Sequence, residues 1–337
     1  MNRGNLLSEQ ESSRPTRKVI FLILRLVLGV LIFFGLCQVL DDFPSLTECI
    51  EIWHGIKLLN IFGVFLICIC VMLLRGIRWT VLMRFPSMAS LSEYVAIYGW
   101  SFAHSIVTPF RIGDMTRLLW MKERGFSGSK GAGVLVAERF LDFAVLLFLL
   151  LMASSVLPSS SALFSLSALP VLIVFLFGYA VFSFYSGRLA SLLKRQGGDT
   201  SADHTGWAWR LHGLSGRFLS GLQCLSHSRT HLLGLLMTLM IWLLMAAAFH
   251  LFLKSFFADL PIMAAALVLT LVNFAAFLNL TPCNIGPYEL TGIYGLAQFG
   301  YSAPWTLGIV AGLHIFNFST FMLFGFLCKL YLWWGKR

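Results

Sequence analysis

Thr108-Pro109-Phe110-Arg111-Ile112-Gly113 recurs in the second half of the chain as Thr281-Pro282-Cys283-Asn284-Ile285-Gly286, with four of the six positions identical. Each copy sits near the centre of a long apolar stretch, Leu91–Arg124 for the first and Pro261–Phe299 for the second. Proline removes a backbone donor and clashes with the preceding turn, and glycine admits dihedral angles that other residues avoid. Each stretch is therefore expected to be a helix, a break and a second helix. Further matches follow the two copies in the same order: Gly125-Phe126-Ser127 with Gly300-Tyr301-Ser302, Val136-Ala137 with Val310-Ala311, and Asp142-Phe143 with Asn317-Phe318. The collinear series points to an internal duplication.

The surrounding composition says where such stretches reside. Of 337 residues, 58% are hydrophobic and 12% charged, against roughly a quarter charged in an ordinary soluble domain. Mean hydropathy is +0.81. A water-soluble fold of this size cannot hide so much apolar surface. Soluble enzymes, disordered chains, collagens and disulfide scaffolds are excluded, and an all-α polytopic membrane protein is expected. The net charge of +10 belongs to the cytoplasmic flanks of membrane spans rather than to nucleic-acid binding. The seven cysteines form no CxxC pair, so neither a zinc site nor a disulfide framework is expected. No GxxxxGK[ST] occurs, and no metal or cofactor is expected.

A membrane helix needs about 20 mostly apolar residues. Six segments meet this: Val19–Leu40, Ile56–Leu74, Ala132–Leu157, Leu163–Phe184, His231–Leu253 and Trp305–Cys328. The basic residues Arg3, Arg14, Arg17 and Lys18 place the tail 1–18 in the cytoplasm, and Asp41, Asp42, Glu48 and Glu51 place the first loop outside. Arg75, Arg78 and Arg84 precede Leu91–Arg124, and Arg111, Arg117, Lys122, Arg124 and Lys130 lie within it or just after it. Cytoplasmic markers on both sides make the stretch a re-entrant hairpin. The basic loop 185–230 and the tail 329–337 are also cytoplasmic, so Pro261–Phe299 must enter from outside and return there. Each half, 19–157 and 158–328, then reads span, span, hairpin, span, with opposite orientation. Such inverted repeats build many secondary transporters. The expected home is the cytoplasmic (inner) membrane, with both termini cytoplasmic.

The chemistry-bearing residues gather at the breaks. Pro109 and Gly113 form the first. Pro282, Gly286 and Pro287 form the second, where Gly286 reads as an N-cap, Pro287 as the first helical position and Glu289 as a first-turn acid. Two half-helix N-termini meeting at the midplane would suit an anion. Arg111 and Arg117 add full charges, either as a grip on a lipid phosphate or as cytoplasmic markers. Asp114 can pair with Arg117 three residues on. Glu138, Arg139 and Asp142 lie inside a span, where ionisable residues face the bundle interior and pair. Arg139 is a further candidate headgroup ligand. Glu138, Glu289 and His314 are candidate proton-coupling groups. Asn284 is read as a headgroup ligand or, like Asn273, Asn279 and Asn317, as interhelical glue.

The combination Pro109-x-x-x-Gly113-Asp114-x-x-Arg117, Glu138-Arg139-x-x-Asp142 and Pro282-x-x-x-Gly286-x-x-Glu289 resembles the transmembrane region of lysylphosphatidylglycerol synthases, a family also described as flippase-like. The resemblance runs from about Ile56 to Cys328. It implies an integral membrane protein that moves lipids between leaflets. In the two-part synthases, a separate soluble domain makes the aminoacylated lipid that this region flips. Nothing soluble longer than the loop 185–230 is expected here, so the resemblance implies no aminoacylation. Relatives lacking that domain are associated with lipid-linked glycan, hopanoid or isoprenoid pathways, which implies biosynthetic enzymes as partners. Phe110-Arg111 and Cys283-Asn284 replace the family's usual glycine-rich turns.

The leading expectation is a flippase-like transporter for a lipid with an anionic, phosphate-bearing headgroup, driven by a gradient of protons or of the lipid itself. The first alternative is a membrane transferase using a polyprenyl-phosphate donor, with Asp41-Asp42 as base or metal ligands. The second is a non-transporting scaffold of a lipid or glycan biosynthesis complex.

Overall fold

The computed structural model describes residues 56–84, 89–157, 228–278, 281–301 and 305–335, with isolated positions at 27, 31, 35, 170 and 173. Apart from those positions, the expected spans Val19–Leu40 and Leu163–Phe184, the acidic loop with Asp41 and Asp42, and most of the loop 185–230 lie outside the described residues. Among the described residues every regular element is helical. The helices are α1 (Leu58–Leu82), α2 (Leu91–Val107), α3 (Met115–Glu123), α4 (Gly128–Ser154), α5 (Ser228–Leu253), α6 (Ile262–Leu278), α7 (Pro287–Ala297) and α8 (Thr306–Trp334). Single 3-10 turns, Pro109–Asp114 and Pro282–Asn284, join α2 to α3 and fall between α6 and α7. Among the described residues, three helices are long and apolar enough to cross a membrane: α1, α5 and α8.

The first break follows from its sequence. α2 opens on a capping box in which the Ser90 hydroxyl accepts from the Glu93 amide and the Glu93 carboxylate accepts from the Ser90 amide. It ends at Thr108, whose extended backbone (φ −86°, ψ 144°) is what a following proline demands. The chain then turns back, and Arg124 after α3 reaches Glu93 at the start of α2, 2.9 Å away. The second break has the same form. Thr281 is extended (φ −116°, ψ 154°) before Pro282, and α7 starts at Pro287 with Gly286 as its N-cap. Phe257, ahead of α6, packs on Tyr301 and Trp305 beyond α7, with ring centroids 4.7 and 5.0 Å apart.

Both hairpins thus close near where they began, and α8 measures their separation. Tyr331, near its C-terminal end, meets Ser92 at the start of α2 at 2.8 Å. Trp305, just before its first residue, meets Phe257 ahead of α6. The 29 residues of α8 span about 43 Å at 1.5 Å per residue. Asn60 of α1 donates to Ser255 just past α5 at the same end as Trp305. The open ends of the hairpins therefore lie at opposite ends of the bundle, and their tips approach each other inside it.

Two expectations change. α1 does not stop at Leu74 but runs to Leu82, because Arg75 and Arg78 are not interfacial markers: they are 6% and 0% exposed and turn inward. Gly113 is not the residue that supplies the unusual dihedral. Arg111 does that, with φ +54°. Gly113 is needed for close approach, since a Cβ there would lie 2.2 Å from the Ser105 nitrogen and 2.4 Å from the His104 carbonyl carbon. Its carbonyl accepts from the Ser101 hydroxyl and its amide donates to the Thr108 hydroxyl. In the second break the expectation holds, as Gly286 has φ +92°.

Candidate functional site

A buried ion cluster lies where α1, α2, α3, α4 and α5 converge, between two apolar cores. Arg78 of α1 donates to both oxygens of Asp142, the shorter contact being 2.6 Å, to Glu138 Oε1 at 3.0 Å and to the Thr238 hydroxyl at 2.9 Å. Arg117 of α3 donates to Glu138 Oε2 at 2.9 Å and to Asp114 Oδ1 at 3.0 Å. Arg139 lies 3.6 Å from both Asp114 and Asp142 and 3.8 Å from Glu138. Tyr98 donates to Glu138 and the Trp242 indole to Asp142, each at 3.1 Å. Asp114, Arg117, Glu138 and Asp142, which the sequence singled out, are thus brought into one network with Arg139. Arg117 does not reach an interface. Its guanidinium lies 4.7 Å from the centroid of the Tyr98 ring and 5.3 Å from that of Trp79, and it is 1% exposed.

The network is not electrically balanced. Five guanidinium groups, of Arg75, Arg78, Arg111, Arg117 and Arg139, face three carboxylates, of Asp114, Glu138 and Asp142. The surplus sits at one edge. Arg75 forms no ion pair among the described residues and lies over the rings of Phe102 and Trp242, 5.5 and 5.0 Å from their centroids. Arg111 has one long contact, 3.5 Å to Asp114, and lies 5.8 Å from the same Phe102 ring. A charge taken out of water without a partner costs several kcal/mol or more, which makes the two weakly compensated cations flanking one ring a candidate site.

Beside Arg111 is a cavity of about 130 Å³ that both breaks line. From the first half come Phe102, Ser105 and Arg111, and from the second Asn273, Cys283, Asn284, His314 and Asn317. Arg111, Cys283 and Asn284 all have left-handed backbone, with φ between +53° and +60°, a strain that concentrates at working sites. The Asn284 amide and the Ser105 hydroxyl are buried and find no hydrogen-bond partner among the described residues. Glu289 accepts from the Gly286 amide at 2.7 Å, capping α7, and its other oxygen meets His314 Nδ1 at 2.7 Å. His314 Nε2 reaches the Cys283 carbonyl at 2.9 Å, and its ring stacks on Tyr288 with centroids 4.0 Å apart.

The family model for the lysylphosphatidylglycerol synthase TM region matches residues 20–325. The chain belongs to this family. With its apolar helices of spanning length, this member of the lysylphosphatidylglycerol synthase TM region family is an integral membrane protein. No curated protein and no solved structure matches it.

Sequence reasoning missed Arg75, Arg78, Tyr98, Thr238 and Trp242 as parts of the site. Arg75 and Arg78 resembled the positive flank of a span, yet they are three apart on one helix face and continue its apolar pattern. Glu138 does not meet Arg111; its partners are Arg78, Arg117, Tyr98 and Arg139. Asn317 ties α8 to α1 by accepting from the Cys68 thiol, whereas Asn273 donates within its own helix to the Leu269 carbonyl. Asn279, Asp41 and Asp42 lie outside the described residues.

Proposed function

We propose that this protein is a flippase-like transporter that carries a lipid with an anionic, phosphate-bearing headgroup between the leaflets of the cytoplasmic membrane. The observation that carries the reading is the surplus of positive charge among the described residues, on buried Arg75 and part-buried Arg111, beside a cavity that both chain breaks line and into which Ser105, Asn284 and His314 bring polar groups. Arginine matches phosphate geometry with paired donors. The unpartnered Asn284 amide and Ser105 hydroxyl supply further hydrogen bonds, while lipid tails stay outside the bundle. The two hairpins are read as re-entrant halves of an inverted repeat. The identical Thr-Pro breaks and the opposite placement of their open ends along α8 support this. α4, at 27 residues, is about 40 Å long and is read as a fourth span among the described helices. Biosynthetic enzymes of lipid or glycan pathways are the proposed partners, and the termini are read as cytoplasmic.

Transport is tested on purified protein in liposomes carrying a fluorescent, dithionite-sensitive prenyl phosphate or anionic phospholipid. Leaflet exchange should be accelerated. Arg111→Ala should slow it about ten- to a hundredfold, the worth of a charged hydrogen bond. Normal exchange by Arg111→Ala would remove the role given to that residue. Asp41→Asn should leave exchange unchanged, whereas a transferase working through Asp41 would lose its activity.

A further inference from the structure

The cavity's second wall contains a proton that the geometry locates. A carbonyl only accepts, so His314 Nε2, 2.9 Å from the Cys283 oxygen, carries a hydrogen. At Nδ1, 2.7 Å from Glu289 Oε1, a bare ring nitrogen facing a bare carboxylate would be two acceptors in contact. One proton therefore lies between them, on Nδ1 or on Oε1. With it the His314–Glu289 pair has no net charge, and without it the pair carries one negative charge. The other groups facing His314 are the Tyr288 hydroxyl of α7, the Cys283 thiol of the break, the Cys68 thiol of α1 behind Asn317, and Arg111 across the cavity. α2 contributes only neutral residues to this cavity, Phe102, Ser105 and Ile106, and α6 contributes Asn273 and Ala276. Among the described residues, the pair, with His314 in the cavity lining and Glu289 hydrogen-bonded to it from behind the lining, is thus what can change the charge beside the cavity between neutral and negative.

We infer that the cavity binds a single phosphate-sized tetrahedral anion together with one proton, which is held by His314 and Glu289. The inference rests on the headgroup reading above and adds to it a stoichiometry and a ligand size. A volume of about 130 Å³ is well below the roughly 300 Å³ at which drug-sized pockets begin. It has room for one phosphate group, which is the part of the headgroup assigned to it. Arg111 provides the fixed charge, with Asn284 and Ser105 as neutral donors. Losing the proton would leave the Glu289 carboxylate uncompensated behind His314, close to the anion. By linkage, anion and proton must then bind cooperatively, each raising affinity for the other. Deprotonation also loosens the tie between α8 and α7, since the shared proton joins His314 to the Glu289 that caps α7.

The test uses the full-length protein in lipid nanodiscs and two probes whose charge is constant across the histidine range: inorganic sulfate and a short-chain prenyl sulfate. Binding is measured by titration calorimetry from about pH 5 to about pH 8, the span over which histidine changes charge. Buffers of different ionisation enthalpy count the protons taken up. Uptake approaching one proton per anion at the upper end of the range is expected, with affinity falling up to about tenfold per pH unit. His314→Gln alone leaves the Glu289 carboxyl without its proton-sharing partner and should bind more weakly than the wild type. The double variant His314→Gln with Glu289→Gln has no such charge, and should bind well with no pH dependence and no proton uptake. Preference for the prenyl form assigns the site to a lipid headgroup, and equal binding assigns it to a free anion; with proton uptake, both bear the inference out. Wild-type binding with no proton uptake overturns the inference and leaves the headgroup reading standing. Failure of both probes to bind at any pH overturns the headgroup reading itself, and the inference with it.

Discussion

At the scale of single residues, the arginines divide into two kinds by what their removal would strand. Arg78 is fully buried and holds Glu138, Asp142 and Thr238. Deleting it leaves Asp142 without its closest cation and Glu138 with one fewer in an apolar interior, a loss of roughly 3–5 kcal/mol. Arg78→Ala should thus unfold well below the wild type in a detergent thermal melt. Arg111 is 23% exposed and has only the 3.5 Å contact to Asp114, and Asp114 keeps Arg117 and Arg139. Arg111→Ala should therefore melt near the wild type while failing to bind the anion. If both variants melted alike, the division into framework and binding charges would be wrong. Sequence spacing revealed the acidic half of the cluster, because Glu138 and Asp142 stand out inside an apolar run. It did not reveal Arg75 and Arg78, because an arginine at the end of a span is ordinary in a membrane protein. Only packing distinguishes an arginine that reaches water from one that turns to a carboxylate on another helix.

At the scale of elements, the breaks were legible because proline acts locally. Thr-Pro forces an extended residue and a missing donor wherever it occurs, so both helix ends followed from sequence. The task of each glycine was not legible, since a positive φ and a close approach leave the same letter. The two tasks predict different mutant behaviour. At Gly113 a Cβ would lie within 2.4 Å of backbone atoms of His104 and Ser105, which cannot swing aside as a side chain can. Gly113→Ala should displace the turn, lowering both folded yield and anion binding. At Gly128, on the first residue of α4, a Cβ meets nothing within 4 Å. Gly128→Ala should be neutral or stabilising by up to about 1 kcal/mol, as alanine is the better helix former. Yield on size-exclusion chromatography and melting temperature measure both, and similar losses in the two variants would remove close approach as the reason for Gly113.

At the scale of the whole molecule, the pairing of ends makes a prediction about sidedness that composition alone could not make firm. Basic residues at 75–84 and 111–130 suggest that the first hairpin returns to the cytoplasm, but Arg75, Arg78 and Arg117 prove to be interior, so part of that argument is withdrawn. The architecture replaces it. Arg124 meets Glu93, and Phe257 meets Tyr301, so each hairpin opens and closes at one end of the bundle, and the ends are opposite along α8. If α8 crosses the membrane, Ser90 and Glu123 must share one side, and Asp259 and Gln298 the other. Single cysteines at these four positions, in a variant lacking the seven native ones, can be labelled with a membrane-impermeant maleimide in intact and in permeabilised cells. Asp259→Cys and Gln298→Cys should label from outside, and Ser90→Cys and Glu123→Cys only after permeabilisation. A hairpin that crossed instead of returning would split one of these pairs. Labelling of all four from one side would mean that the bundle is not an inverted repeat. In the expected pattern, the tips with Arg111 and Asn284 approach from opposite faces. On the proposed transport reading, the cavity between the tips is where rocking one half against its counterpart would hand a headgroup from one leaflet to the other.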